Sequence, residues 1–267
     1  MAEFLSSNRA LWDSWTKLHS ASGFYDLPGF KAGRNSLRPV EVEELAPLVR
    51  GQSLLHLMCH FGMDTLSWAR LGARVTGVDL SPDAMALARS LADELVLPAT
   101  FVCAPVEDLP RHLTGQFDIV FMSYGVLHWL PSLKRLAEVV AHFIKPGGLF
   151  YIVEFHPFSR VFDSDDPQRL SVANPYWVKP EPFQFETEGS YAEKNAEKHS
   201  GYNWDHSLGE FITALAEAGL RIEYLHEHQH APRARFPFMA QGEDGLWRLP
   251  QEVRGSVPLM FSLLARK

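Results

Sequence analysis

The chain has 267 residues, 46% hydrophobic and 21% charged, a balance that excludes a disordered chain, a collagen and a coiled coil. Its 25 basic and 32 acidic residues give a net charge of −7, which disfavours a nucleic-acid partner. There is no signal-peptide pattern and no apolar run of about 18 residues, so no membrane span is expected. Two cysteines, Cys59 and Cys103, form no disulfide framework, and reduced thiols fit a cytoplasmic location.

Residues 3–22 carry Phe4, Leu5, Leu11, Trp12, Trp15 and Leu18 at helical spacing, which predicts an amphipathic helix. Gly23 to Ser36 reads as a turn-rich loop, and Glu41–Val49 as a short helix. From Ser53 the chain alternates strand and helix. Strands are predicted at 53–58, 74–79, 100–103, 117–122 and 149–155. Helices are predicted at 64–71, at 82–95 behind the Ser81 cap and Pro82, and at 133–144 before Pro146-Gly147-Gly148. That rhythm implies a parallel sheet covered on both faces. Residues 157–206 break it and are rich in Pro, Ser, Asp and aromatics, as either a lid or a small rigid subdomain would be. A helix returns at 207–218, two strands follow at 220–226 and 257–265, and a Pro-rich connection covers 229–255.

Ligands of open α/β sheets bind beyond the carboxyl ends of the strands, where strand order reverses. Here the first strand runs into Met58-Cys59-His60-Phe61-Gly62 and the second ends at Asp79. A carboxylate in that place can hold both hydroxyls of a ribose. A pyrophosphate needs glycines where this loop has His60 and Phe61, so an adenosine ligand without phosphates fits better than NAD. No P-loop is present.

In these segments the chain resembles the class I S-adenosylmethionine-dependent methyltransferases. The likeness runs from Leu54 to Phe155 and rests on His56-Leu57-Met58-Cys59-His60-Phe61-Gly62, Val78-Asp79-Leu80-Ser81-Pro82, Val106-Glu107-Asp108-Leu109-Pro110, Phe117-Asp118-Ile119-Val120, Leu127-His128-Trp129-Leu130 and Lys145-Pro146-Gly147-Gly148. The form of the first loop looks like a bacterial small-molecule branch of tellurite- and thiol-type enzymes. The resemblance implies a Rossmann-like α/β fold with a mostly parallel seven-stranded sheet, helices on both faces and an insertion after the fifth strand. The organisation it implies is an N-terminal helix and covering loop (1–50), a cofactor-binding core (51–156), a lid or acceptor-binding insertion (157–206) and a C-terminal helix with a strand pair (207–267).

The resemblance further implies S-adenosylmethionine as cofactor, with S-adenosylhomocysteine as product. Its residues would be Met58, Cys59, His60 and Gly62 in the first loop, Asp79 and Leu80 after the second strand, Val106 and Glu107 after the third, and Ser123 and Tyr124 after the fourth. The family's usual first-loop pattern begins with an acid that helps anchor the methionine end. This chain has His56 there, and Lys31 or Arg34 is the candidate partner for the methionine carboxylate.

Methyl transfer is chiefly a positioning problem, with His128, His156 and Glu154 as candidate bases, each also readable as a structural residue. Trp129, Tyr176, Trp177, Tyr191, Trp204 and His206 would suit an apolar or aromatic acceptor, or else form the insertion's own core. His226, His228 and His230 share one strand face, but without a carboxylate or thiolate arranged with them no metal is expected. The expected partner is a small molecule, with no membrane, for a monomer or homodimer. The competing readings are other chemistry at the sulfonium, cyclisation or elimination, and a non-catalytic binding module.

Overall fold

The computed structural model describes residues 2–177, 181–194 and 197–267; residues 178–180 and 195–196 of the expected insertion lie outside them. The chain opens with α1 (Ala2–Ala21) and three short helices, α2 (Leu27–Lys31), α3 (Pro39–Glu44) and α4 (Ala46–Val49). Then β1 (Ser53–Leu57), α5 (Met63–Arg70), β2 (Arg74–Asp79), α6 (Pro82–Glu94), β3 (Ala99–Cys103), β4 (Phe117–Ser123), α7 (Leu133–Phe143) and β5 (Ile144–Phe155) follow in order. Beyond them β6 (Phe183–Glu188) and β7 (Lys198–Asn203) pair as an antiparallel hairpin. After α8 (Leu208–Glu217) and β8 (Arg221–His228), the short β9 (His230–Ala231), β10 (Ala240–Gln241) and β11 (Trp247–Arg248) form a small sheet of their own, and β12 (Met260–Arg266) follows.

The central sheet has the order β3-β2-β1-β4-β5-β12-β8. Its first five strands are parallel, and β12 runs antiparallel to both neighbours. Alternation along each strand builds a core on each face. Leu55 and Leu57 of β1, Val120 and Met122 of β4, and Phe150 and Ile152 of β5 pack with α7 and α8. Their neighbours Leu54, Ile119, Phe121, Tyr151 and Val153 pack with Trp68 and the small sheet. A third cluster joins α6 to Phe61 and Phe101. The Ser81 cap forms as expected, its hydroxyl accepting the Ala84 N–H at 3.0 Å.

Three local expectations change, and a fourth, the pairing of the C-terminal strands, is extended. The 23–36 loop contains α2, whose Asp26 cap accepts the Gly29 N–H and pairs with Arg34. The expected 41–49 helix is two helices that meet at Leu45 and Ala46. β5 begins at Ile144, before Pro146-Gly147-Gly148, with an irregular register opposite Phe117 and Ile119. The last two strands pair with each other, and β12 also inserts beside β5.

Candidate active site

Strand order reverses at β1, which has β2 on one side and β4 on the other. Above the carboxyl ends of these strands lies a cavity of about 450 Å³, within the range of small-molecule sites. Its floor is the loop after β1. Met58, His60 and Gly62 there adopt left-handed backbone, with φ of 58°, 51° and 80°. Two of the three are not glycine, and such strain collects at ligand sites. Position 62 requires glycine for a second reason: a Cβ would sit 2.8 Å from the Phe101 ring.

Asp79 lies at the cavity edge where β2 ends, buried. One carboxylate oxygen accepts the His60 N–H at 2.8 Å and the other the Ser81 N–H at 3.0 Å. The Leu80 N–H also acts on the carboxylate, which keeps part of its remaining acceptor capacity. Burial pushes the Asp79 carboxyl up to about 6, against the pull of the Ser81 and His60 N–H groups. The same contacts use up amides that the sequence reading left for the cofactor: the Cys59 N–H goes to the Val78 carbonyl and the His60 N–H to Asp79.

His56 takes no ligand-facing charge. Its Nδ1 lies 2.8 Å from the Thr65 hydroxyl, and burial holds the imidazole down to about 3, so it is neutral. A buried acid stands eight residues on. Asp64, in the first turn of α5, lines the cavity and accepts the Ser36 hydroxyl at 2.6 Å and the Ser123 hydroxyl at 3.4 Å. Burial raises its carboxyl, opposed by the hydroxyls and by the charge of Arg38. The Arg38 side chain also lines the cavity and has no ion pair among the described residues. Nearby, Tyr124 donates to Glu41 at 2.6 Å, and burial followed by the Asp64 charge pushes the Glu41 carboxyl up to about 8.

The cover comes from α1 and the hairpin. Asn8 exchanges two hydrogen bonds with Tyr202, at 2.9 and 2.8 Å, and the Trp15 indole donates to the Gly189 carbonyl at 2.9 Å. Trp12, Trp15 and Trp129 meet edge to face at 5.1–6.0 Å. Asp13 of α1 reaches across to the Ser81 hydroxyl and the Asp83 N–H at the start of α6. A polar chain ties floor to cover: His60 Nε2 lies 2.9 Å from His19 Nδ1, and His19 Nε2 lies 2.9 Å from the Ser190 hydroxyl. Both imidazoles are held neutral by burial, His19 down to about 3, and the His60 Nδ1 is buried with no partner.

Of the residues singled out for the site from sequence, Arg34, His56, Met58, Cys59, His60, Gly62, Asp79, Leu80, Ser123, Tyr124, His128, Trp129 and Tyr191 line this cavity. The others lie elsewhere. Lys31 pairs with Glu94 at 2.6 Å, while the other candidate, Arg34, lines the cavity and pairs with Asp26 at 2.8 Å. Val106 is buried in the core. Glu107 lies off the cavity, and its carbonyl accepts Arg135 at 2.8 Å.

Glu154 is spent on backbone, accepting the Val126 and Leu127 N–H groups at 2.7 and 3.1 Å, so it shapes the loop after β4. His156 is buried, 3.0 Å from Glu227. Tyr176 packs on the sheet and accepts the Leu208 N–H; Trp177 is 78% exposed. Trp204 is buried against Phe4 at 5.8 Å, and the His206 ring sits 2.8 Å from the Leu130 carbonyl. His226 and His228 are engaged separately, with Glu44 at 2.8 Å and Ser262 at 3.0 Å.

Sequence reading missed Asp64, Arg38 and Arg233. Asp64 left a signal, since an acid one helical turn into α5 follows a loop that has lost its own. Arg38 and Arg233 left none, because only the fold brings their segments to the cavity.

Residues 55–152 match the family described as a methyltransferase domain. An uncharacterized methyltransferase of Synechocystis is 34% identical over 125 residues, 46% of this chain and 56% of that protein. A ubiquinone biosynthesis O-methyltransferase of Xanthomonas oryzae is 30% identical over 134 residues, 49% of this chain and 56% of that one. The match thus spans little more than half the length of these curated relatives. Among solved structures, an S-adenosylmethionine-dependent methyltransferase of Mesorhizobium loti superposes with a TM-score of 0.54 at 20% identity, covering 92% of this chain and 99% of that one. Residues 55–152 thus resemble a methyltransferase domain, and the fold is the Rossmann-like one of the S-adenosylmethionine-dependent methyltransferases.

Proposed function

We propose that the protein transfers the methyl group of S-adenosylmethionine to a small-molecule acceptor. The observation that carries this reading is Asp79: it stands buried at the end of β2 on the cavity wall, where a carboxylate can accept from the hydroxyls of a ribose. The floor beside it is filled by His60 and Phe61 where a pyrophosphate would need open backbone. Asp64, with the Ser36 and Ser123 hydroxyls, would hold the ammonium of the methionine end, and Arg38 its carboxylate. The neutral His56 has no such role.

The cofactor supplies a methyl group on a positively charged sulfur. The protein's part is to exclude water beneath Trp12, Trp15 and Trp129 and to keep the acceptor in line with that methyl. Where the acceptor carries a proton, the neutral His60 imidazole, with its free Nδ1, and His128 are the bases within the cavity.

The tellurite- and thiol-type branch is supported by the form of the first loop, and soft thiols belong among the acceptors to be assayed. A cytoplasmic monomer or homodimer with no nucleic-acid partner belongs to the same proposal, supported by the acidic net charge and the two free cysteines. Among the described residues no helix is long and apolar enough to cross a membrane.

Calorimetry tests the class: S-adenosylhomocysteine should bind and NAD should not. NAD binding more tightly than S-adenosylhomocysteine would overturn the reading. Mass analysis of the turnover mixture should show S-adenosylhomocysteine, whereas methylthioadenosine would mean attack on the methionine chain.

A further inference from the structure

A second recess of about 100 Å³ opens off the main cavity and shares His128, Phe155 and Arg233 with it. That is room for about three waters, or for one compact oxyanion. Its charge is one-sided. Arg160, Arg233 and Arg235 all line it, together with His128 and His206.

Only Arg160 has a carboxylate: Asp205 lies 2.9 Å from its Nη2 and 3.0 Å from its Nε. The Arg233 guanidinium sits between two rings, 4.8 Å from the centre of Phe155 and 4.9 Å from that of Tyr191, and forms no ion pair among the described residues. Arg235 likewise has no ion pair among them, and its Nε is buried without an acceptor. Burial, then the charges of Arg160 and Arg233, lowers Arg235 to about 10, so it stays cationic at neutral pH but under strain. The one carboxylate in the recess, Glu154, gives its oxygens to the backbone N–H groups of the loop after β4.

Gathering three arginines in a half-buried recess with one direct ion pair, and with Glu154, Asp165 and Asp205 otherwise acting only at longer range, costs stability. A surface arginine would turn to water. Here two rings lie within reach of the Arg233 guanidinium, and its stem comes from the irregular segment after β9 rather than from a helix face that needed covering. A planar guanidinium is suited to two-point recognition of a carboxylate or phosphate.

We propose that Arg233 and Arg235 bind an oxyanionic group of the methyl acceptor in this recess. The acceptor's apolar body would then lie in the main cavity, among Trp12, Trp129, Phe155 and Tyr191. The acceptor is therefore a small amphipathic acid rather than a neutral aromatic compound. Its identity as acceptor rests on the methyltransferase reading above; its binding as an anion does not.

The test uses the full chain and four probes: benzoate, phenyl phosphate, inorganic phosphate and the neutral benzamide. Calorimetry should show benzoate or phenyl phosphate binding at least tenfold more tightly than benzamide, and the stronger of the two names the carboxylate or the phosphate. Inorganic phosphate should compete with the phenyl probe. Arg235→Gln and Arg233→Gln should remove the preference over benzamide, and Arg235→Lys should restore part of it. S-adenosylhomocysteine affinity and circular dichroism, unchanged in these variants, show that they are folded.

Equal binding of benzoate, phenyl phosphate and benzamide overturns the proposal, as does an anion preference that survives both glutamine variants. If S-adenosylhomocysteine binds and the anions do not, only the acceptor inference fails. If the anions bind through Arg233 and Arg235 and S-adenosylhomocysteine does not, the methyltransferase reading fails and the oxyanion site stands.

Discussion

The two halves of the cavity are built by different means. The floor is made of strand ends and backbone: Asp79, the loop 58–62 and the start of α5 lie within a few residues of β1 and β2, and hydrogen bonds to main-chain N–H groups hold them in shape. The roof is made of side chains from remote segments, with α1 bonded to β7 across 194 positions and Arg233 arriving from beyond β9. Backbone geometry tolerates little change of ligand, whereas a side-chain roof can be re-cut without disturbing the sheet. The floor therefore suits an invariant ligand and the roof a particular acceptor.

The largest expected effect breaks the floor. Asp79→Asn should weaken S-adenosylhomocysteine about 30-fold or more, because hydrogen bonds to a charged acceptor contribute about 1.5–3 kcal/mol each. Binding to the wild type should also weaken as pH falls through about 6, where the carboxyl gains its proton, while the asparagine variant stays flat across that window. Calorimetry at pH 5, 6 and 7.5 checks both.

Next, Asp64→Asn should cost about tenfold in S-adenosylhomocysteine affinity, the scale of one charge-assisted contact. It should leave methylthioadenosine unaffected, since that ligand has no ammonium. An equal loss for both would remove Asp64 from the methionine end.

The roof is sharpened by Asn8→Ala, which cuts both bonds between α1 and β7. Hydrogen exchange should quicken in α1 and residues 198–203 while β1 and β4 keep their protection. The acceptor KM should rise several-fold with the S-adenosylhomocysteine affinity within about twofold.

Glu41→Gln is a smaller, pH-signed effect. The folded carboxyl titrates at about 8, above its ordinary value of 4.5. The native state thus holds a proton that the unfolded chain releases, and wild-type stability drops as pH rises from about 4.5 through about 8. The glutamine variant lacks that slope. Its Tm should exceed the wild type's by a few degrees at pH 9, since about 1 kcal/mol moves a chain of this size by about 2–4 °C, and the advantage should vanish at pH 5.

The smallest effect separates aromatics that sequence reading grouped together. Trp177→Ala should leave turnover unchanged, because the ring is exposed away from the cavity. Trp204→Ala should lower stability, as a buried ring packed against Phe4 would, and should also disturb the recess that the ring lines. Turnover assays beside thermal melts read the difference.

What the sequence disclosed follows the same division. β1, β2 and the Ser81-Pro82 start of α6 were legible because alternation and capping are local rules, and Asp79 followed from its place at a strand end. Lys31 was misplaced because a cation in a loop gives no hint of its partner, here Glu94 of α6. Richness in aromatics said that residues 157–206 bury rings, but not which of them face the cavity. Phe185 and Tyr191 do; Tyr176 does not, and Trp204 lines the smaller recess. The arginines of the recess come from residues 160, 233 and 235, and no pattern of spacing links them.

The docking of α1 on β7 also sets an order of events during synthesis. α1 emerges from the ribosome well before the strand that receives it, which lies 194 positions on. At about 5–20 residues per second, that strand follows some 10–40 s later. Through that interval Trp12 and Trp15 have no hairpin to rest on, while the strands β1 to β5 are already able to pair. The nascent chain would thus have a finished floor before it has a roof, and its first helix is the part most exposed to chaperones and to pairing with the wrong chain.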